Sequence, residues 1–315
     1  MNRGLRRLVG SGKPAIVYAP LRHTLLSGGK RLRALLVLLG CNAVGGTDAN
    51  ALSAAVAVEC LHNFTLIHDD VMDRSPVRRG RPTVHAKWND AVAVLAGDQL
   101  MSLGYQVLLG AGRNGKNGLG VERILTVYTH AYRDVCEGQG FDLEFEGRRA
   151  VTMREYRKMI DLKTARVIAA AAEIGALAGG GKPAEVRSLR AYGRRLGLAF
   201  QIRDDELDVT GNQEEFGKKI GGDIARGKKT YLLVKAMEKA RGKDAALLRK
   251  VAAGRGARLV AQARSVYERT GAIDAARREI AKLTRGAKSA LRTLPASPGK
   301  AILMDIADRL ADRTA

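Results

Sequence analysis

Two stretches of the chain repeat one arrangement of carboxylates. Asp69-Asp70-Val71-Met72-Asp73 and Asp204-Asp205-Glu206-Leu207-Asp208 each carry aspartates at positions i, i+1 and i+4, and each closes a long apolar segment. On a helix the first and last members of such a trio share a face, about 6 Å apart along the axis. Like charges repel at that spacing, and a helix C-terminus is the unfavourable end for anions. Each trio therefore calls for a bound cation. The donors are oxygen alone, with no His or Cys in ligand register and few carboxylates per ion, which selects Mg2+ bridging to a phosphate. One acidic trio alone reads as a solvated helix end. Its recurrence on a second apolar helix makes the pair a candidate metal centre, and the two can cooperate only if those helices run side by side. His68, beside the first trio, reads as a packing histidine rather than a ligand.

Cations accompany the aspartates. Gly28-Gly29-Lys30-Arg31-Leu32-Arg33 puts basic residues at a helix start, where backbone N–H groups also attract anions. Arg78-Arg79-Gly80-Arg81 follows the first trio, and Lys218, Lys219, Arg226, Lys228 and Lys229 follow the second. One diphosphate chelated by Mg2+ and another held by Arg, Lys and His would use this inventory. The whole chain is basic, 54 Lys+Arg against 32 Asp+Glu for a net charge of +22. Such a balance predicts anionic partners: phosphorylated small molecules, a membrane surface or nucleic acid. Nucleic acid is disfavoured, because aromatic residues are only 4%, the basic residues are spread throughout, and no zinc or RNA-binding motif occurs.

Helices must position these groups. No proline falls between Pro82 and Pro183 or between Pro183 and Pro295, and proline inside a helix costs about 3 kcal/mol. A chain so rich in Ala, Leu, Arg, Lys and Glu reads as all-α. Glycine clusters at Gly28-Gly29, Gly45-Gly46, Gly110 to Gly120 and Gly179 to Gly181 stop successive segments, and Pro183 and Pro298 suit first turns. Helices are expected near 14–27, 31–44, 48–73, 88–110, 119–147, 152–178 and 183–210, with shorter ones from about residue 229 onward. Val186, Leu189, Gly193, Leu196 and Phe200 step by three or four and mark one buried stripe. The long polar intervals Arg74 to Lys87 and Gly211 to Lys229 each follow an aspartate trio and read as functional loops.

With 46% hydrophobic residues, no linker and no fixed-period repeat, residues 1–315 read as one domain of ten or more helices. Cys41, Cys60 and Cys136 lack metal or redox spacing and read as buried small hydrophobes in a reducing compartment, hence a cytoplasmic protein. The longest uncharged runs, Ala34 to Thr47 and Gln99 to Gly112, fall short of a membrane span.

In combination these motifs resemble the trans-isoprenyl diphosphate synthase family, the head-to-tail prenyltransferases. The likeness runs from Gly28 to about Leu233. It includes the Gly28 to Arg33 run, Glu59-x-x-His62, the first trio, Arg78-Arg79-Gly80-x-Pro82-Thr83-x-His85 and Gly97-Asp98. It continues through Lys163-Thr164, Phe200-Gln201 with the second trio, and Gly217-Lys218 through Gly227-Lys228-Lys229-Thr230. The resemblance implies the isoprenoid synthase fold, a single-domain helix bundle around a deep central cavity, usually homodimeric. It implies two or three Mg2+ ions per active site, held by Asp69, Asp73 and Asp204. Asp70, Asp205 and Asp208 support that cluster, and Lys163 joins the six aspartates in the catalytic set. By the same resemblance Arg78, Lys163, Thr164, Gln201, Lys218 and Lys228 contact an allylic diphosphate, while Lys30, Arg33, His62 and Arg79 hold isopentenyl diphosphate. The implied reaction ionises the allylic diphosphate, adds the isopentenyl double bond to the carbocation and releases a proton, lengthening the chain by one C5 unit.

Product length should follow from what floors the cavity below the first trio. Thr65 and Phe64 lie four and five residues before Asp69, with Leu61 a turn deeper. The Phe64 ring would block a growing tail; Thr65 is small. One aromatic at the fifth position, none at the fourth and no insertion inside the trio resembles archaeal geranylgeranyl diphosphate synthases. The expected product is therefore C20 geranylgeranyl diphosphate from dimethylallyl, geranyl or farnesyl diphosphate, with C15 as a co-product. The alternatives are a synthase of longer chains, C25 or above, which Phe64 opposes, and a non-catalytic partner subunit, which two intact trios oppose. A complete isopentenyl site argues against a terpene cyclase. Ala34 in place of a common proline, and an Ala307 to Arg313 stretch without an aromatic, depart from the family pattern. No transmembrane segment is expected, although the surplus charge allows peripheral association with anionic headgroups.

Overall fold

The computed structural model describes residues 1–114, 118–211 and 220–311. In chain order the helices are α1 (Asn2–Val9), α2 (Ala15–Leu25), α3 (Leu32–Asn42), α4 (Asp48–Met72), α5 (Val84–Lys87), α6 (Asp90–Asn114), α7 (Gly118–Glu146), α8 (Met153–Ile160), α9 (Arg166–Ala178) and α10 (Pro183–Thr210). They continue as α11 (Gly222–Arg226), α12 (Tyr231–Lys239), α13 (Gly242–Ala252), α14 (Val260–Arg269), α15 (Ala272–Ala290) and α16 (Pro298–Ala311). The all-α expectation holds. Pro183 and Pro298 do open helices, and Gly45 and Gly180 take positive φ just beyond α3 and α9, where a side chain would be strained. Thr47 with Asn50 and Thr152 with Glu155 close capping boxes on α4 and α8, satisfying backbone N–H groups that a helix start leaves unpaired.

Several local features depart from the sequence expectation, among them a short helix, α11, inside the interval Gly211 to Lys229. A short helix, α1, precedes the first expected one; it buries only Leu5 and Val9, too few apolar positions to register as a periodic segment. The interval Arg74 to Lys87 holds an antiparallel hairpin, β1 (Val77–Arg78) with β2 (Arg81–Pro82), followed by α5. The expected helix over 152–178 is interrupted by a π-helical turn at Asp161–Ala165, a one-residue slip too small to disturb a 3.6-residue pattern. Cys41 and Cys60 are buried, but Cys136 is exposed.

The chain divides into two compact units. One comprises Met1–Tyr132, Ala170–Arg190 and Thr293–Leu303; the other comprises Arg133–Ala169, Ala191–Arg292 and the segment from Met304. In the first, α4 is the axial helix, packed by α3, α6, α2 and α5. Its small residues Ala51, Ala54, Ala55 and Ala57 are buried, so neighbouring backbones approach closely. By length and composition alone α4 and α6 could cross a membrane, with mean hydropathy 1.2 and 1.3; here they pack against each other. In the second unit α12 buries Tyr231, Leu232, Leu233, Val234 and Ala236 and is surrounded by α8, α13, α14 and α15.

Candidate active site

In the first unit the end of α4 and the hairpin bring carboxylates and arginines together. Asp69, on the last turn of α4, and Asp73, its C-cap, keep partial solvent contact, whereas Asp70 is buried. Arg78 donates to the Asp70 carboxylate at 2.7 Å and lies 3.8 Å from that of Asp69. Burial pushes Asp70 up to about 6 against the pull of Arg78. The adjoining Arg79 has φ +53 and donates from Nη1 to the carbonyl of Gly28 at 2.8 Å. A Cβ on Gly29 would lie 2.7 Å from that same Nη1, so the second glycine of the Gly28-Gly29 pair is what lets the guanidinium in. A small open cleft beside the hairpin is lined by Asn63, Asp70, Arg78, Arg79 and Thr83 among others.

Arg33, at the start of α3, points Nη1 at His62 Nε2, 3.2 Å away. A guanidinium can only donate, so Nε2 accepts and the imidazole proton sits on Nδ1. His62 is held well below its ordinary value, first by desolvation and then by Arg33, Arg79, Arg78 and Arg31. The ring is neutral, and the cations around it leave a field that an anion would relieve. Arg31, expected among the cations offered at this helix start, is instead turned inward onto buried Glu59 at 2.6 Å. Lys30 is exposed on the preceding loop.

A histidine depressed in the folded state weakens the fold in acid. The unfolded chain binds the proton near the ordinary His value of about 6.5 while the folded chain does not, so this group's contribution is intact above that pH and is lost as pH falls through it. The slope approaches about 1.4 kcal/mol per pH unit. In His62→Gln, which keeps an acceptor for Arg33, the loss of unfolding free energy between neutral and mildly acid pH should be shallower than in the parent by this one-proton slope. Parallel curves in urea titrations at each pH would contradict it.

In the second unit the π turn carries Lys163 and Thr164. Lys163 Nζ donates to Asp142 Oδ2 at 2.7 Å, and Lys228 Nζ reaches the same oxygen at 3.6 Å. Both ammonium groups hold the Asp142 carboxyl below its usual value although burial opposes them. Thr164 donates to Gln201 Oε1 at 2.8 Å, and Gln201 Nε2 donates to Asp205 Oδ1 at 3.1 Å. Asp205 also accepts from Tyr156 Oη at 2.6 Å and from the Tyr231 backbone N–H at 2.7 Å; burial nevertheless pushes it up to about 7. Asp208 accepts from the Asp223 N–H at 3.0 Å, and burial with the neighbouring Asp223 charge pushes it up to about 7. Asp204 retains partial solvent contact.

Close backbone packing fixes the π turn. A Cβ on Gly138 of α7 would lie 2.3 Å from the Lys163 nitrogen, and one on Gly197 of α10 would lie 2.6 Å from Ala165 Cα. Asp161, buried, takes Arg194 through both oxygens at 2.6 and 2.9 Å and Arg166 at 3.2 Å, while Arg166 also reaches Asp134 at 3.0 Å. This lattice ties the turn to α7 and α10, and π turns of this kind commonly mark functional positions. Asp161→Asn should lose about 2 kcal/mol of stability, less than the 3–5 of a fully buried pair because both arginines are partly solvated. If Lys163 contacts an allylic diphosphate as the resemblance implies, the KM for that substrate should rise about tenfold with Lys163 displaced. Stability lost with KM unchanged would separate the network from the lysine.

The expected site residues thus form two clusters. Asp69, Asp70, Asp73, Arg78, Arg79, Arg33 and His62 belong to the first unit; Lys163, Thr164, Gln201, Asp204, Asp205, Asp208 and Lys228 belong to the second. Lys218 lies outside the described residues. Lys229, grouped with the exposed cations by sequence, is buried and donates to the carbonyls of Gly227 and Ala252, and Arg226 is paired with Asp223. Phe64 is buried, its ring edge-on to His68 at 4.7 Å and to Tyr132 at 5.4 Å; Leu61 is buried, and Thr65 donates to the His62 carbonyl. His68 reaches the Val94 carbonyl at 3.2 Å. Sequence reading did not identify Asp142, Asp161 or Tyr132, and it placed Glu59 within the Glu59-x-x-His62 motif without a role. Asp142 lies 21 residues from Lys163, and only the fold brings such pairs together.

The carboxylates suit Mg2+. Among the described residues no three His, Cys, Asp or Glu side chains converge as a ready-made metal cage, and Mg2+ needs none, since it takes one or two carboxylates plus substrate oxygens and water. Asp69, Asp73 and Asp204 keep access to solvent, whereas Asp70, Asp205 and Asp208 are buried against protein donors.

The sequence profile described as Polyprenyl synthetase matches residues 14–270. The chain is 41% identical to a short chain isoprenyl diphosphate synthase of Methanothermobacter thermautotrophicus, covering 98% of this chain and 94% of that protein. It is 39% identical to a geranylgeranyl diphosphate synthase of Methanosarcina mazei, over 96% and 91% of the two chains. The crystal structure of a geranylgeranyl pyrophosphate synthetase from Pyrococcus horikoshii is similar at a TM-score of 0.94, with 36% identity over 99% of this chain and 94% of that one.

Proposed function

The chain belongs to the polyprenyl synthetase family, and on that premise we propose that it is a trans-prenyltransferase joining isopentenyl diphosphate to dimethylallyl, geranyl and farnesyl diphosphates to give geranylgeranyl diphosphate. The observation that carries this reading is the division of labour among the six aspartates: Asp69 and Asp73 of the first trio and Asp204 of the second are open to solvent, while Asp70, Asp205 and Asp208 are buried and bonded internally. Asp69 and Asp73 are the Mg2+ ligands of the first unit and Asp204 that of the second. When bound, Mg2+ supplies Lewis-acid neutralisation of a diphosphate leaving group.

The chain's own residues bind, orient and insulate. Arg33, Arg79 and Lys30, with the Nδ1–H of neutral His62, hold the diphosphate of isopentenyl diphosphate by charge-assisted hydrogen bonds. Lys163, Lys228, Thr164 and Gln201 hold the allylic diphosphate, and Lys218 is assigned with them. Asp142 gathers two ammonium groups at one oxygen, which pre-organises them for a doubly charged ligand. Arg78 orients Asp69 and Asp70. Phe64, stacked edge-on by His68 and Tyr132, sets the length of the hydrocarbon tail. The 315 residues act as one domain, in a cytoplasmic homodimer.

The test is to supply farnesyl diphosphate and labelled isopentenyl diphosphate with Mg2+ and count C5 units added per primer. One addition followed by arrest is expected. Continued addition would replace this reading by a longer-chain synthase, and no addition would remove prenyl transfer.

A further inference from the structure

Half of the chain's surplus charge is concentrated in one stretch. Between Lys239 and Arg292 there are fifteen Lys and Arg against four Asp and Glu, and no acid occurs from Ala245 to Tyr267. These residues form α13, α14 and α15 around α12. The amphipathic α15 buries Ile273, Ala276, Ile280, Thr284 and Ala287 as one stripe. At 100° per residue Arg278, Lys282 and Arg285 fall on the opposite side, and all three are exposed.

Several exposed arginines elsewhere are matched by carboxylates. Arg264 on α14 pairs with Glu268, Arg309 on α16 with Asp305, and Arg277 of α15 turns inward to Glu206. Among the described residues Arg278, Lys282 and Arg285 make no ion pair, even though Asp274 lies one turn before Arg278, and Glu279 is taken by Arg157. Like charges at i, i+4 and i, i+3 weaken an isolated helix, and among the described residues this ridge stands uncompensated. Arg249, Lys250, Arg255 and Arg258, on α13 and the turn that follows it, are likewise exposed and make no ion pair among the described residues.

We propose that the Arg278, Lys282 and Arg285 ridge of α15 docks the protein on an anionic lipid bilayer. A surface of long, solvated cations on one exposed helix face matches a diffuse layer of headgroups rather than one small anion. Tyr267 is the sole aromatic between Lys239 and Arg292 and it is buried, so the surface lacks the stacking platform that single-stranded nucleic acid uses. Choosing a bilayer over another polyanion rests on the proposed function, whose product is an amphiphile that partitions into membrane. Electrostatics alone gives reversible, salt-sensitive attachment.

The full chain is sedimented with vesicles of equal parts phosphatidylglycerol and phosphatidylcholine, and with phosphatidylcholine alone, at low and high salt. Binding is expected only to the anionic vesicles at low salt. The triple variant Arg278→Glu, Lys282→Glu, Arg285→Glu should lose at least about a hundredfold in partitioning, each cation near the surface contributing roughly a factor of five. The triple Gln variant should show a smaller loss, and Arg3→Glu with Arg6→Glu and Arg7→Glu should bind like the parent. Equal binding to neutral vesicles, parental binding by both α15 variants, or capture by duplex DNA in preference to vesicles at equal phosphate overturns the proposal. Elongation without vesicles is measured in parallel and should be equal in parent and α15 variants. An inactive parent that still docks through α15 supports the docking surface and overturns only the functional reading.

Discussion

Asp69→Asn and, separately, Asp204→Asn each lower the rate of C5 addition by at least about a thousandfold, roughly 4 kcal/mol of transition-state stabilisation. The amide keeps the size of the side chain but removes the charge that a hard cation requires. Both aspartates retain solvent contact, so thermal unfolding should move little. Asp205→Asn is the contrast: Tyr156, the Tyr231 N–H and Gln201 all donate to that carboxylate. An amide there points a donor at one of these donors, and a buried polar mismatch of this kind costs about 1–3 kcal/mol. Rate assays over a Mg2+ series, paired with melting curves, separate the cases. An Asp69→Asn protein with near-parental rate at saturating Mg2+ would remove that residue from the metal site.

Phe64→Ala shifts the product from C20 to C25 and beyond. Phe64 is buried, with His68 and Tyr132 meeting its ring edge-on, so truncation opens a space where the ring ends the tail's path. It also leaves a cavity costing about 3–5 kcal/mol, so product analysis belongs below the lowered melting temperature, with Phe64→Leu as the milder companion. Chromatography of dephosphorylated products should show lengthening graded with the volume removed. An unchanged C20 product in both folded variants would assign the floor to other residues, with Tyr132 the next to truncate.

Much of this arrangement is legible in the sequence because its signals are local. The helix ends at Pro183, Pro298, Gly45 and Gly180 follow from what each residue's backbone permits. The trios are equally local, three carboxylates within one helical turn. What stayed hidden depends on partners distant in the chain. Lys163 and Gln201 carry no pattern of their own and entered only through family resemblance; the structure adds the reason, since Asp142 and the Thr164–Gln201–Asp205 chain hold them. Arg31 and Arg33 look alike in sequence, yet Arg31 enters α3 with φ +48 and pairs with Glu59 while Arg33 faces His62. The π turn at Asp161–Ala165 is fixed by Gly138, Gly197 and Arg194, none of them within the segment it bends. The hairpin, with two residues in each strand, is too short for any alternation to reveal.

The most direct measurement incubates the purified chain with labelled isopentenyl diphosphate and, in turn, dimethylallyl, geranyl and farnesyl diphosphate, with and without Mg2+, and determines product chain length after dephosphorylation. A C20 alcohol from all three primers, abolished when Mg2+ is withdrawn, is the predicted result. Absence of elongation from every primer at saturating Mg2+ would contradict the assignment of both aspartate trios to prenyl transfer.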